Sequence, residues 1–505
     1  MYITYILLIY LSLGLINNFV YELNLFQQSG YKFHKYIKTF PRYFYKEVSS
    51  YLRLLILILT IIFQFNHNIL LGILIMFLML GITIFNKKVI LKIKLTKRML
   101  RLILLISLIQ LFVMINPLIV VSIEIYLTPL IIVINNLIIL PIENLIKQYY
   151  IKLSKKKLLL INPLCIGITG SFGKTSTKNF CYELLKDNYL TTKSSKSYNT
   201  EMGLCKSIKK DLTYGDEIYI AEMGATRSKD IEKLVNFVNI DIGIITDIGI
   251  QHLESFKTIE NILKTKLEIL KSKNIKTLII NNDNEYLKNY TYSNNINLVR
   301  VGTDVSSDII ISNIIITLEN IEFDILLDQK YHIKTNIIGK HNVINIAIAI
   351  TLAYSLGVDI FQIIERLKNI ESIKHRLETK IIGIHKVIDN SFNSNLQGFK
   401  NNVDLLSLSK EFKVIITPGL VELNRKTKDI HQELARYIYN KIDYVYLIDN
   451  PNTNLMKNEF EKMGFTNYVV IDSFASAFKL ALNSTQKSTI LIENDLTDYY
   501  MNGGI

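Results

Sequence analysis

The sequence has no tryptophan, and only three of its 505 residues are cysteine. Without Trp, an aromatic belt at a membrane surface would have to come from tyrosine. Cys165, Cys181 and Cys205 are odd in number and have no metal-ligand spacing. They argue against a disulfide framework and fit a reduced, cytoplasmic catalytic part. Acidic residues are the scarcer charge, with 44 Asp and Glu against 58 Lys and Arg, for a formal charge of +14. That excess does not read as a nucleic-acid surface. Many basic residues flank apolar runs, and the bias toward Ile, Asn and Lys is what AT-rich coding produces. No basic helix or aromatic-studded strand motif of a nucleic-acid binder is present, so no nucleic-acid partner is expected.

What is present divides into two unlike parts. The length suggests two or three domains, and the mean hydropathy of +0.25 averages an apolar first 150 residues with a globular remainder. Apolar stretches cover residues 5–20, 54–65, 69–85, 102–121 and 125–142. A spanning helix needs about 20 largely apolar residues. The last three stretches qualify. The stretch 54–65 is short and needs Tyr51, Leu52 and a snorkelling Arg53 to reach the interface. The first lacks the basic n-region and small-residue cleavage site of a signal peptide.

Charge in the connections supports about five spans. Lys32, Lys35, Lys38, Arg42 and Lys46 follow the first stretch. Lys87, Lys88, Lys92, Lys94, Lys97, Arg98 and Arg101 follow the third, and Lys147, Lys152, Lys155, Lys156 and Lys157 the fifth. The alternate connections, 66–68 and 122–124, have no Lys or Arg. Positive loops stay cytoplasmic, so the amino terminus is expected outside and the large remainder on the cytoplasmic side. A re-entrant segment would reduce the count to four. The spans carry almost no charge to bury, which speaks against a transporter.

Beyond Lys157, short apolar runs alternate with amphipathic helical stretches, the pattern of α/β units. The run 158–168 reads as a buried strand. It leads into Thr169-Gly170-Ser171-Phe172-Gly173-Lys174-Thr175-Ser176-Thr177 and a helical pattern over 178–186. Strand, glycine turn, Lys-Thr and helix form the context of a phosphate loop. Glycines let backbone N–H groups close around phosphate, and the helix N-terminus favours the anion. Lys174 would reach the β- and γ-phosphates, and the Thr175 hydroxyl would ligate Mg²⁺. Ile168 stands where the strict pattern has its first glycine.

Gly167-Ile-Thr-Gly-Ser-Phe-Gly-Lys-Thr-Ser-Thr resembles the ATP loop of the Mur ligase family, which uses this variant spacing. The resemblance continues in order. Asn199-Thr-Glu-Met-Gly-Leu is similar to the family's Asn-rich turn, and Ala221-Glu-Met-Gly-Ala to its acidic metal site. Ile244-Ile-Thr-Asp-Ile-Gly-Ile-Gln-His-Leu-Glu resembles the strand-to-His segment, and the helix from Phe256 to Leu270 the one carrying a special lysine. Gly339-Lys-His-Asn-Val-Ile-Asn resembles the adenine-side motif, and His375-Arg-Leu-Glu the start of the last domain. Val387-Ile-Asp-Asn-Ser-Phe-Asn-Ser-Asn is like the aspartate turn of the MurF type.

The apolar stretches give an α-helical transmembrane region (1–150), and the resemblance implies that α/β domains follow it. These are a P-loop ATP domain over 157–372 and a Rossmann-like last domain over 373–505. It implies an ATP-dependent amide ligase of peptidoglycan synthesis, adding D-Ala-D-Ala to UDP-MurNAc-tripeptide through an acyl phosphate. ATP would lie on Gly170, Ser171, Gly173, Lys174, Thr175 and Ser176, with Asn342 and Asn345 on adenine. Arg376 and Asp389 would reach the nucleotide from the last domain. Thr175 and Glu222 would hold one Mg²⁺ and His252 would help hold a second. Lys174, His252 and Lys266 are the expected catalytic groups, with Lys266 a possible carbamate and Lys264 its competitor. Asn199, Asn393, Asn395 and the turn 417–422 are the expected substrate contacts. His341 and His375 read as structural hydrogen-bonding residues.

The pattern departs from the family in several places. Apolar helices stand where soluble MurF enzymes carry a UDP-sugar domain. Asp247 replaces a common Asn, Leu396 a common Pro, and Ile492-Glu-Asn-Asp-Leu the usual Lys-Gly-Ser ending. A Mur-like ligase for another polymer, such as poly-γ-glutamate, therefore stays open. So does a non-catalytic membrane scaffold that organises other cell-wall enzymes.

Overall fold

The computed structural model describes residues 2–46, 48–86, 93–112, 117–249, 253–292, 295–392, 394–420, 423 and 426–494. The chain separates into two compact units, residues 1–148 and 149–497.

The first unit is helical. Its long helices are Tyr2–Gln28, Val48–Asn66, Ile69–Asn86 and Lys97–Phe112, and the helix Pro117–Ile161 begins in it. Among the described residues, Tyr2–Gln28, Val48–Asn66 and Leu118–Ile161 are long and apolar enough to cross a membrane by length and composition. Three of the five expected spans, those at 5–20, 54–65 and 125–142, meet this measure among the described residues. Of the stretch 102–121, residues 113–116 lie outside the described residues, and the parts on either side belong to the helices Lys97–Phe112 and Pro117–Ile161. The expected boundaries at 150 and 157 also fall inside the helix Pro117–Ile161.

Leu7, Leu11, Phe19, Ile56, Phe63, Met79 and Ile132 belong to one buried cluster. Gly14 lets helices close up, since a Cβ there would come 1.9 Å from Met79 Cε. Polar groups share this interior. Asn18 donates to the Tyr43 hydroxyl at 2.6 Å, the Ile125 carbonyl at 2.9 Å and Thr128 at 2.9 Å. The Tyr36 hydroxyl donates to buried Glu22 at 2.6 Å. Arg53 does not snorkel. It is 1% exposed, with its guanidinium 3.8 Å from the Tyr43 ring centroid and Nη1 donating to the Tyr43 carbonyl at 3.2 Å. The expectation of almost no buried charge fails at Glu22 and Arg53. Arg53 read in sequence as interfacial, and only packing draws it inward.

The second unit is α/β with two mixed sheets. The first has β1 (Leu164–Thr169), β2 (Thr191–Lys193), β3 (Ile218–Glu222), β4 (Ile242–Ile245), β5 (Thr277–Asn281), β6 (Asn297–Gly302), β7 (Ile309–Ile316), β8 (Ile321–Leu326) and β9 (Lys330–Thr335). Their order is β2-β3-β1-β4-β5-β6-β7-β8-β9. Pairing is parallel through β7 and antiparallel across β7–β8–β9. Ile166, Ile168, Ile218, Ile220, Ile242 and Ile244 are buried, as parallel strands covered on both faces require.

The strand expected over 158–168 is shorter. Helix Pro117–Ile161 takes its first residues, Asn162 turns the chain at φ +52°, and β1 starts at Leu164. A short apolar run alone cannot separate a helix end from a buried strand. Exposed Leu159 and Leu160 mark the helical part.

The second sheet has β10 (Glu378–Ile382), β11 (His385–Asn390), β12 (Phe412–Thr417), β13 (Tyr444–Ile448), β14 (Tyr468–Ile471) and β15 (Ser488–Glu493). The order is β10-β11-β15-β12-β13-β14, parallel except for β10 against β11. The last strand is therefore inserted between β11 and β12, and their carboxyl ends gather at one edge, where open parallel sheets bind ligands.

Candidate nucleotide and metal site

The site grows from the carboxyl end of β1. Gly170 has φ +148° and Gly173 φ +79°. A Cβ on Gly170 would come 2.2 Å from Thr246 Oγ1, and one on Gly173 2.5 Å from Asn345 Oδ1. Both positions need glycine for space as well as for dihedral angle. The loop is tied to the chain following β4: Ser171 N–H donates to the Asp247 carbonyl at 2.7 Å, and its hydroxyl to Gly249 at 3.0 Å. The helix Lys174–Leu185 then begins, four residues earlier than the expected 178, with buried Thr175 and Ser176 in its first turn.

Lys174 Nζ lies on the loop's own carbonyls, 2.6 Å from Gly170 and 2.8 Å from Ser171. Burial brings its ammonium down to about 8. Thr175 Oγ1 donates to Glu222 Oε2 at 3.0 Å, across the β1–β3 pair. Glu222 also accepts from Asn199 Nδ2 at 3.1 Å and pairs with Lys178 at 2.9 Å, both partners about 2% exposed. Burial pushes the Glu222 carboxyl up, but Lys178, Lys174 and Asn199 outweigh it and hold the group below its ordinary value. A hydroxyl and a carboxylate oxygen side by side at a phosphate loop are the hard donors that Mg²⁺ takes, so these residues fit the ion.

Lys178 is the residue that sequence reasoning missed. It lies four after Lys174 on the same helix face, and that spacing was the available signal.

Helix His341–Ser355 brings the two expected amides together. Asn342 Nδ2 donates to the Ile338 carbonyl at 2.8 Å, Asn345 Nδ2 approaches Asn342 Oδ1 at 3.4 Å, and the Thr177 hydroxyl donates to Asn345 at 3.2 Å. Burial, and then the charge of Arg376, lower the His341 imidazole to about 4, so it is neutral near pH 7.

Lys266 and Lys264, on helix Ile259–Leu267, separate cleanly: Lys266 is 2% exposed and Lys264 is exposed. Burial and then the Lys174 charge hold the Lys266 amine well below its ordinary value. Glu268, two residues on, accepts Lys229 N–H at 2.7 Å and Glu232 N–H at 3.1 Å instead of bonding a lysine. Asp247 also carries a raised value, about 6, from burial that its hydrogen bond from Asn284 only partly offsets.

From the second sheet's side, Arg376 Nη2 donates to Thr175 Oγ1 at 3.3 Å, with its guanidinium 4.4 Å from the Phe392 ring centroid. Asp389 is turned to His375 Nδ1 at 2.8 Å and Ser391 N–H at 3.0 Å. His375 thus has the hydrogen-bonding role expected of it. Asn395 caps the helix Leu396–Ser407, accepting Gly398 N–H at 2.9 Å. His252 and Asn393 lie outside the described residues, as do 421 and 422 of the expected substrate turn.

A phosphate loop with an acidic strand end opposite its Thr and a second α/β sheet supplying an Arg makes an α/β protein with a candidate nucleotide site. Residues 168–353 match the family model described as Mur ligase middle domain. The likeness is of the MurF type. The chain is 31% identical over 287 residues to the UDP-N-acetylmuramoyl-tripeptide--D-alanyl-D-alanine ligase of Borreliella burgdorferi, covering 55% of this chain and 61% of that one. It is 27% identical over 300 residues to the enzyme of the same name from Bacillus subtilis, covering 58% and 65%. The match therefore spans about three fifths of these relatives' length. The MurF ligase of Thermotoga maritima, solved in complex with ADP, superposes with a TM-score of 0.62 at 25% identity, covering 69% of this chain and 80% of that one.

Proposed function

We propose that the chain is an ATP-dependent amide ligase of the MurF type, adding D-alanyl-D-alanine to UDP-N-acetylmuramoyl-tripeptide at the cytoplasmic face of a bacterial membrane. Thr175 and Glu222, 3.0 Å apart beside the loop lysine, carry this reading. Residues 157–372 would form the ATP domain and 373–505 the domain receiving the incoming amine. The helices of 1–150 would be a multi-pass anchor.

Making an amide from a carboxylate requires an activated acyl group, here an acyl phosphate formed with ATP. Each group has a part in that chemistry. The loop N–H groups and the helix N-terminus would cradle phosphate, and Lys174 would leave its loop carbonyls to meet the γ-phosphate. Thr175 and Glu222 would hold Mg²⁺, which when bound neutralises charge developing on the transferred phosphoryl group. Lys178 would keep Glu222 ionised and aimed. Arg376 would place a cation over the same oxygens from the last domain, so that domain closure completes the site. Lys266, whose neutral amine is the form that can take up carbon dioxide, would act as a carbamate with His252 near a second Mg²⁺. Asn342 and Asn345 would face adenine, Asp389 the nucleotide, and Asn199, Asn393 and Asn395 the substrates.

The test is phosphate release by the full chain in detergent, with ATP, Mg²⁺ and UDP-MurNAc-tripeptide, with and without D-Ala-D-Ala. Release that needs both substrates and disappears in Lys174→Ala is expected. Release with another amine, such as glutamate, would move the chain to another polymer. No release with any pair would overturn the ligase reading.

A further inference from the structure

We propose that Glu493 is a positioning residue for the nucleotide site. Its carboxylate holds the turn after β11 in the shape that carries Phe392 onto Arg376, and Arg376 onto Thr175. This rests on the nucleotide reading above and deepens it.

Glu493 ends β15, the strand inserted between β11 and β12, and stands in register with Asn390 at the end of β11. The residue is 0% exposed. An ionisable group so placed is costly unless donors surround it, and here three separate segments supply them. Asn390 Nδ2 donates to both carboxylate oxygens, at 3.1 and 3.0 Å. The Ser394 hydroxyl donates to Oε1 from the turn. Asn402 Nδ2 donates to Oε2 at 2.9 Å from the helix Leu396–Ser407. One side chain thus joins the last strand to both ends of the turn and to the helix that follows it.

The turn in turn holds Arg376. Phe392 N–H donates to the His375 carbonyl at 3.3 Å, Ser391 Oγ lies 3.3 Å from His375 Nδ1, and the Phe392 ring carries the guanidinium. Arg376 needs such support because His375 at φ +61° and Leu377 at φ +54°, both non-glycine, flank it in the left-handed region. Backbone in that state persists where surroundings impose it. The path runs from Glu493 to Asn390, along the adjoining Ser391 and Phe392, and through Arg376 to Thr175.

The experiment measures equilibrium Mg-ATP affinity of the full chain in detergent, by displacement of a fluorescent ATP analogue. The variants are Glu493→Gln, Arg376→Ala, their combination, Ser394→Ala and Ser394→Thr. Gln keeps the volume but turns an NH₂ toward groups that are themselves donors. Glu493→Gln should weaken affinity about fivefold and Arg376→Ala about tenfold, with the double variant no weaker than Arg376→Ala alone, since residues acting through one path do not add. Ser394→Ala should weaken it about twofold, and Ser394→Thr, which restores the hydroxyl, should recover it. A purely structural Glu493 would give a double variant weakened by the product of the single effects, and that result overturns the proposal. So does unchanged affinity in Glu493→Gln. Should Glu493→Gln not fold, the Ser394 pair decides: no loss in Ser394→Ala overturns it. Failure of the unsubstituted chain to bind Mg-ATP would remove the nucleotide reading itself, and is told apart because it needs no variant.

Discussion

Both units of this chain bury polar and charged side chains, but to different ends. In the helical unit Asn18, Tyr43, Thr128 and Arg53 hydrogen-bond or stack on one another among apolar side chains. In the α/β unit Thr175, Lys178, Glu222 and Lys266 are also buried, but Thr175, Lys178 and Glu222 meet at strand and helix ends beside the glycine loop. The first arrangement satisfies groups that apolar surroundings would otherwise strand. The second holds charge where a ligand of opposite charge can enter. Burial alone thus does not mark a functional group; what marks it is burial at the open end of a parallel sheet.

Substitutions can break that comparison. The largest effect is expected at Glu222. Glu222→Ala should lower phosphate release roughly a thousandfold through loss of the charge-handling site. It should also destabilise the chain by about 3–5 kcal/mol, because Lys178 would remain buried without its partner. Release assays and thermal unfolding check both, and a mild effect on both would put Glu222 with the structural polar groups.

Next comes the lysine pair on one helix. Lys266→Met should cost about a hundredfold in release, near 2.7 kcal/mol of barrier, whereas Lys264→Met should stay within twofold. Equal responses would show that burial of Lys266 has no functional meaning.

In the helical unit, Asn18→Ala removes donations to three acceptors and should destabilise the chain in detergent by about 1–3 kcal/mol. Mg-ATP affinity should stay within twofold. A clear loss of affinity would show that the polar interior of the helical unit also serves the nucleotide site.

The smallest effect is a pH slope. Burial raises the Glu493 carboxyl to about 7, against the opposing pull of Ser394, Asn402 and Asn390. Its folded value exceeds the unfolded one, so the native state binds more protons than the unfolded state over that interval. Stability from this group is then complete below the unfolded value and falls as pH rises through about 7. Between roughly pH 6 and 8 the loss should be about 1 kcal/mol, and Glu493→Gln should flatten it. A slope unchanged in Glu493→Gln would assign it to another group.

The phosphate loop, the acidic strand end, the amide pair and the start of the last domain were legible because each is a short run of neighbours. Gly-Ser-Phe-Gly-Lys-Thr needs no tertiary contact to be read. The apolar runs 414–417, 444–448 and 489–492 are readable for the same reason, and lie in β12, β13 and β15.

The sequence by itself determined the two-part division of the chain, the α/β character of the second part and the local motifs of its nucleotide site. These depend on periodicity and on residues adjacent in the chain. Tertiary structure alone decided that Lys178 faces Glu222, that Lys266 and not Lys264 is buried, and that Arg53 lies on Tyr43. It also set Glu493 against Asn390, 103 residues away in sequence. The reason is physical: burial and pairing are properties of the surroundings that other segments supply, and no residue carries them in its own neighbourhood.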